Sequence, residues 1–380
     1  MTKKMEFYYF HLMPYPYLPE DFNKQYDSTW VTLPNSLYDP ETGHHLYNRF
    51  LDELVRAAEL GWDGVCVNEH HQNAYGTMPS PNIIAAMLVH RIKTAKIAII
   101  GNALPLHDDP LRVAEEIAML DVISGGRIIS GFVRGTGMEY YSYNVNPAHS
   151  RERFYEAHDL IIEAWTRPGP FRFEGKHYNY RYVNPWPRPL QKPHPPIWLP
   201  GTGSLETVEF AAEKRYPFMM VFSPQSYQRK AYDLYRRLAE DKFGYEAQPN
   251  QLAFAVPTFV AETDEIARKE AKQHVMWLFH KGLHTTPQFS FPPGYVTEKS
   301  LAAILSSGIK QFSQLTFDEL IDEGYIIVGS PSTVIEKLSV YTEEMHAGIL
   351  IGGAQCGDMP EDLVNKNMEM FAKEVMPYFR

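Results

Sequence analysis

The chain has 380 residues, with 36 Lys and Arg against 46 Asp and Glu and a formal charge of −10, so it offers no basic stripe for a phosphodiester backbone and nucleic acid is excluded as a partner. No apolar run approaches the ~20 residues that a membrane helix needs, which excludes a helical span. Hydrophobic residues make up 44% of the chain and there are only two cysteines, Cys66 and Cys356, both in or beside apolar stretches; this is a globular chain with buried free thiols, not a disulfide scaffold.

The N-terminal run MTKKMEFYYFHLMPYP has neither the apolar core nor the small-residue cleavage site of a secretory signal, so the expected compartment is the cytoplasm. The first strand is MEFYYFHL, 5–12. A Pro/Tyr-rich excursion, 14–40, is too irregular for an element and too long for an ordinary connection, which marks it as a candidate loop over an active site. The run 46–61 repeats apolar residues at helical spacing and stops at Gly61. His44 and His45, just ahead of it, read as surface residues.

DGVCVN is the second strand, and the helix after it begins with Ser80 as its cap and Pro81 in its first turn. The third strand, AKIAIIGNALPL, leads to a helix over 111–126. The fourth, GRIISGFVRGTG, is apolar on both faces, as a buried parallel strand should be. A helix over 150–166 and a hairpin-like insertion over 171–184, turning at Glu174-Gly175, follow it. PPIWLPGTGS, PFMMVFSP and QLAFAVPTFVAE supply the fifth to seventh strands. The seventh crossover starts with a helix at 264, is broken by an insertion at about 282–325, and resumes as a helix over 330–345. AGILIGGAQ is the last strand, and a terminal helix closes the chain.

Eight strands, each followed by a helix, with loops growing at one end, predict an α/β protein formed as a single (β/α)8 TIM-type barrel over residues 1–380. Its insertions lie near the N-terminus, after the fourth strand and in the seventh crossover. A doubly wound open sheet is the competing architecture.

In a barrel of this kind the chemistry sits at the carboxyl ends of the strands. There the second strand ends in Asn68-Glu69-His70-His71, the third in Gly101-Asn102, the fourth in Arg134-Gly135-Thr136-Gly137 and the fifth in Gly201-Thr202-Gly203-Ser204. The adjacent histidines raise metal binding first. A barrel metallohydrolase wants a His-x-His pair on an early strand and a carboxylate after the last, but the first strand carries only His11 and AGILIGGAQ has no acid, so no metal is expected. Imidazole titrates near working pH, which makes a histidine here a general acid/base candidate beside the alternative of a hydrogen-bonded structural residue. GTGSLETVEF opens directly into a helix, where backbone N–H groups and the positive dipole end favour an anion. Arg134 adds a permanently charged fork suited to a phosphate. The dinucleotide fingerprint is missing, because GTGSLE lacks a third glycine, so a phosphorylated cofactor would be a mononucleotide.

EHHxxxxG after the second strand, GNALPLHDDPLRVAEEIAMLD, SGGRIISGFVRGTG and the Gly/Ser turn together resemble, in consistent order over nearly the whole chain, the bacterial luciferase-like flavin monooxygenases; the terminal VMPYF also resembles the end of the luciferase α subunit. The resemblance implies a barrel that binds FMN at its carboxyl-end mouth, usually as a homodimer. It implies His70 as catalytic base, Arg134 on the phosphate, a phosphate turn at Gly201, Thr202, Gly203 and Ser204, and a non-prolyl cis peptide beneath the flavin at about Gly101-Asn102. The chain departs from luciferase at Val133, where the reactive cysteine would stand, and in its longer N-terminal excursion, which argues against light emission and an aldehyde substrate.

The expected activity is a two-component monooxygenase. It takes reduced FMN from a separate NAD(P)H-dependent flavin reductase, forms a flavin C4a-(hydro)peroxide with O2, and inserts one oxygen atom into a small organic substrate. The competing functions are a deazaflavin-dependent oxidoreductase of the same fold, a non-catalytic FMN-binding protein and a metal-dependent barrel hydrolase. Loops 14–40 and 282–325, with Phe10, Met13, Tyr15, Phe289 and Phe291, are the candidates for the substrate enclosure.

Overall fold

The computed structural model describes residues 5–298, 302 and 310–380. The predicted insertion 282–325 therefore lies partly outside the described residues. The strands are β1 (Glu6–Phe10), β2 (Gly64–Val67), β3 (Lys96–Ala103), β4 (Ile128–Val133), β5 (Phe171–Glu174), β6 (Asn179–Val183), β7 (Ile197–Gly201), β8 (Phe218–Val221), β9 (Leu252–Ala255), β10 (Thr258–Val260), β11 (Ile327–Gly329) and β12 (Ile349–Gly352). Eight of them close in the order β1-β12-β9-β8-β7-β4-β3-β2, every neighbouring pair parallel, so the predicted barrel is what the chain forms.

Strand alternation divides the core into two layers. Tyr8, Cys66, Ala98, Ile100, Ile129, Trp198, Met219 and Ile351 point inward and fill the barrel, with the Tyr8 and Trp198 rings meeting edge to face at 4.8 Å. Their neighbours Phe7, Tyr9, Val65 and Val67 point outward to the helices and join the much larger surrounding core. Phe10 and Val221 cap the inner stack at the carboxyl end and are only half buried, so the floor of the mouth is apolar. Cys66 and Cys356 are free and buried.

The structure corrects the element boundaries in two places. The first long helix runs over Pro40–Glu59, not from Leu46, because the Asp39 carboxylate accepts from Thr42 N–H at 2.9 Å and Pro40 suits the first turn. His44 and His45 thus lie inside the helix, on its exposed side. The predicted seventh strand is split: β9 belongs to the barrel, whereas β10 pairs in parallel with β11 in a separate two-stranded sheet. Pro257 stands between them, and a residue without an N–H is a natural end to a ladder.

The N-terminal excursion is not an open loop. Tyr15, Phe22 and Trp30 are buried, and the segment is tied to residues 277–284 by Trp277 Nε1–H to the Pro16 carbonyl (3.2 Å), Trp30 Nε1–H to the Gly282 carbonyl (3.2 Å) and Thr29 N–H to the His284 carbonyl (2.9 Å). The hairpin β5–β6 forms as predicted, with its turn at residues 175–178.

Candidate active site

His70 follows β2 and is largely enclosed. Its Nδ1 lies 2.9 Å from Oε1 of Glu139, a buried side chain on the short helix Gly137–Ser142 that follows the β4 loop. The other oxygen, Oε2, accepts from Thr136 N–H at 2.8 Å. With Oε2 taken by a backbone donor, the contact at Oε1 is met by a proton on Nδ1, and in the neutral tautomer that bears it Nε2 is the ring's acceptor. Trp30 and Tyr75 hold the ring edge to face, with centroids 5.3 and 5.0 Å away, and fix its plane.

Glu69 and His71 do different work. Glu69 is buried and accepts from His71 Nε2 at 2.8 Å, from His107 Nε2 at 3.2 Å and from Ala103 N–H at 3.1 Å. Burial opposes its charge, but the hydrogen bonds from His107 and His71 prevail and hold the carboxyl well below the usual range. The same bond raises His107 against the opposing effect of burial. Asn102 joins this network through Nδ2, which donates to Asn82 Oδ1 at 3.2 Å and approaches Glu69 at 3.4 Å. These groups brace the end of β3 from the helix side.

The cis peptide is Ile100-Gly101, one bond earlier than the predicted Gly101-Asn102. Around it the β3–β4 register shifts between Ile99 and Asn102, and the two backbones touch: a Cβ on Gly101 would lie 2.4 Å from the Gly131 carbonyl, and one on Gly131 would lie 2.3 Å from the Ile99 carbonyl oxygen. Paired glycines are what this close approach demands.

β4 and β7 are neighbours, so Arg134 and the GTGS turn rise side by side. Gly203 has φ +90°, a left-handed conformation that glycine adopts freely, and Ser204 stands at the N-cap of the helix Leu205–Lys214. Ser204 Oγ lies 2.8 Å from Thr207 Oγ1, so two hydroxyls meet at the helix end, where the first N–H groups have no acceptor within the helix. Arg151 Nη2, 3.6 Å from Glu206 Oε2, links the two helices that begin beside this place. Arg134 Nη1–H donates to Ser150 Oγ and to the Tyr295 carbonyl, both at 3.2 Å. A monoanionic or dianionic phosphate fits this set of a guanidinium, paired hydroxyls and helix-end N–H groups, and the apolar floor beside it suits a flat ring. The residues present thus fit FMN.

Of the residues expected to enclose substrate, Phe10 caps the barrel interior, while Phe289 and Phe291 are half buried beside the β4 loop, where Phe289 meets Tyr141 edge to face at 5.5 Å. Met13 and Tyr15 are instead packed into the outer core, and Tyr15 Oη accepts from Asp39 N–H at 3.0 Å.

Three residues escaped the sequence reading. Thr207 stands three residues past Ser204 and was visible as a hydroxyl in the first turn. Glu139 was signalled by the T-x-x-E spacing of a capping box at Thr136, but its partner is 69 residues away. Tyr295, 161 residues from Arg134, left no local signal.

Among known proteins, the chain is 29% identical over 333 residues to the Sinorhizobium fredii protein y4wF, covering 85% of this chain and 90% of that one. It is 24% identical over 346 residues to 2,5-diketocamphane 1,2-monooxygenase 2 of Pseudomonas putida, covering 84% and 90%. In fold it is similar to the monooxygenase RslO1 from Streptomyces bottropensis, with a TM-score of 0.75, 22% identity and coverage of 99% and 100%. It is also similar to the oxygenating constituent of 3,6-diketocamphane monooxygenase from Pseudomonas putida in complex with FMN, with a TM-score of 0.71, 21% identity and coverage of 98% of each chain. An F420-dependent secondary alcohol dehydrogenase shares the fold at a TM-score of 0.68 and 15% identity, covering 99% of each chain. The family described as luciferase-like monooxygenase matches residues 29–346, and with the flavin-compatible barrel mouth already in place the chain belongs to that family.

Proposed function

We propose that this protein is the oxygenase of a two-component system, receiving reduced FMN from a separate NAD(P)H-dependent flavin reductase in the cytoplasm and transferring one atom of O2 to a small organic substrate. The observation that carries the reading is Glu139: one side chain joins the loop of the phosphate-binding Arg134 to the imidazole of His70. FMN, when bound, supplies the activation of oxygen. Ser204, Thr207 and Arg134 bind its phosphate, and the apolar floor of the mouth takes its flat ring. His70 Nε2, which no protein contact occupies among the described residues while Nδ1 is held by Glu139, accepts or returns a proton at the reacting atom. The apolar floor of Phe10, Ile100 and Val221 limits water at the mouth. The FMN complex of the 3,6-diketocamphane enzyme, on the same fold, supports FMN as the cofactor.

The protein works as a homodimer in this reading. Ile83 and Met87 on the helix Pro81–Arg91, and Met119, Val122 and Ile123 on the helix Pro110–Ser124, are exposed at helical spacing on two helices that pack together. Exposed apolar side chains grouped on two neighbouring helices suit a second copy.

The test is anaerobic loading with reduced FMN followed by mixing with 18O2 and a panel of cyclic ketones, with mass spectrometry of the products. Incorporation of one labelled atom is expected. Absence of FMN affinity, or oxygen-independent hydride transfer with a deazaflavin, would sink the proposal.

A further inference from the structure

Arg134 is half buried and, among the described residues, forms no ion pair, whereas Arg49, Arg112 and Arg167 each face a carboxylate within hydrogen-bond distance. An unneutralised guanidinium at the barrel mouth needs something other than charge to hold it still. Tyr295 supplies that. Its ring lies under the guanidinium, with the arginine Cζ 4.5 Å from the centroid. Its carbonyl accepts from Arg134 Nη1–H at 3.2 Å, and its hydroxyl donates to the Gly135 carbonyl at 2.7 Å. Burial pushes that hydroxyl above its ordinary value, so it stays a donor. Tyr140 completes the arrangement, with its hydroxyl on the Arg134 carbonyl and its ring 5.5 Å from that of Tyr295.

We propose that Tyr295 is the positioning residue for Arg134, fixing the guanidinium plane so that the edge carrying Nε and Nη2 faces the phosphate of the flavin. The proposal rests on the reading of Arg134 as a phosphate ligand. A planar guanidinium has five N–H donors in a rigid fork. Nη1 is committed to Ser150 and Tyr295, and among the described residues no acceptor meets Nε or Nη2. The stacking contact fixes rotation about the remaining axis without consuming a donor, and without a carboxylate that would compete with the phosphate.

Tyr295 also belongs to the segment that carries Phe289 and Phe291. This segment crosses the start of the helix Gly137–Ser142 so closely that a Cβ on Gly137 would lie 2.1 Å from the Ser290 carbonyl oxygen. The phosphate grip and the substrate side of the mouth are therefore one mechanical unit. By linkage, whatever orders Arg134 orders this segment, so flavin phosphate binding steadies the enclosure before substrate arrives.

The test compares FMN with riboflavin, which lacks the phosphate, in titrations of wild type, Tyr295→Phe and Tyr295→Leu, with hydrogen exchange of the wild type in parallel. Wild type is expected to prefer FMN. Tyr295→Leu should lose about tenfold of that preference with riboflavin affinity unchanged, and Tyr295→Phe, which keeps the ring face, should retain it. Amide protection over residues 287–298 should rise with FMN and not with riboflavin. Full FMN preference in Tyr295→Leu, or equal protection by the two flavins, overturns the role of Tyr295 and leaves that of Arg134 standing. A wild type that binds the two flavins equally well overturns the reading of Arg134, and this inference with it.

Discussion

Glu139 accepts from His70 Nδ1–H at 2.9 Å through one oxygen and from Thr136 N–H at 2.8 Å through the other, and the backbone contact tolerates no donor in its place. Glu139→Gln must therefore turn its amide NH2 toward the imidazole, because the backbone N–H at Thr136 accepts nothing. Nδ1 then becomes the acceptor and the proton moves to Nε2, the tautomer that cannot act as a base. Turnover at saturating flavin should fall by at least about tenfold, with flavin affinity little changed, and Glu139→Asp should retain more activity than the amide. Steady-state kcat beside a flavin titration checks this.

Binding and proton transfer are assigned to different side chains, so they should separate by mutation. Arg134→Ala should weaken FMN binding by about 1.5–3 kcal/mol, the range for hydrogen bonds to a charged group. Ser204→Ala should act in the same direction by a smaller amount. His70→Ala should leave the dissociation constant close to wild type and cut turnover by about 10²–10⁴-fold. Equal effects on both quantities from Arg134→Ala and His70→Ala would contradict the assignment.

The Glu69–His107 contact gives a pH dependence whose sign follows from the two shifts. His107 is raised above its ordinary value of 6.5, so its contribution is complete below that pH and is lost as pH rises through the folded-state value. Glu69 is lowered from 4.5, so its contribution is complete above that pH and is lost as pH falls through the depressed value. Between about pH 4.5 and 6.5 both are present. His107→Gln should therefore destabilise most in that window, by on the order of 1 kcal/mol because the imidazole is 34% exposed, and the difference from wild type should shrink toward pH 9. Urea melts at a series of pH values measure it, and a pH-independent difference would refute the pairing.

Met87→Glu combined with Ile123→Glu places charge in the middle of the exposed apolar patch on the two packed helices. If that patch joins two copies, the variant should run as a monomer in light scattering while keeping its circular dichroism spectrum. A wild type that is itself monomeric at micromolar concentration would remove the dimer from the functional picture.

The barrel was legible because each buried parallel strand reads as a short apolar run between helix signals, and the GTGS turn was legible as a helix start because its glycines and Ser204 stand directly before it. The seventh strand was misread for the same reason: QLAFAVPTFVAE is apolar throughout, and composition does not reveal that Pro257 divides a barrel strand from one that leaves to pair with Ile327–Gly329. Met13 and Tyr15 were legible as aromatic and apolar members of an irregular excursion, but their burial in the outer core depends on partners far along the chain. The contacts of Glu139 with His70 and of Tyr295 with Arg134 were invisible because each joins residues far apart along the chain.

Trp30 touches the His70 ring from the N-terminal excursion and donates to the Gly282 carbonyl in the seventh crossover. The two insertions thus behave as a single part with two chain segments. Grafting either one alone from a relative would strip a wall from the histidine along with changing the substrate contacts, and the chimera would lose activity for reasons unrelated to specificity. Recombination between relatives should succeed only when both segments travel together, and an enzyme redesigned on this scaffold should exchange them as a matched pair.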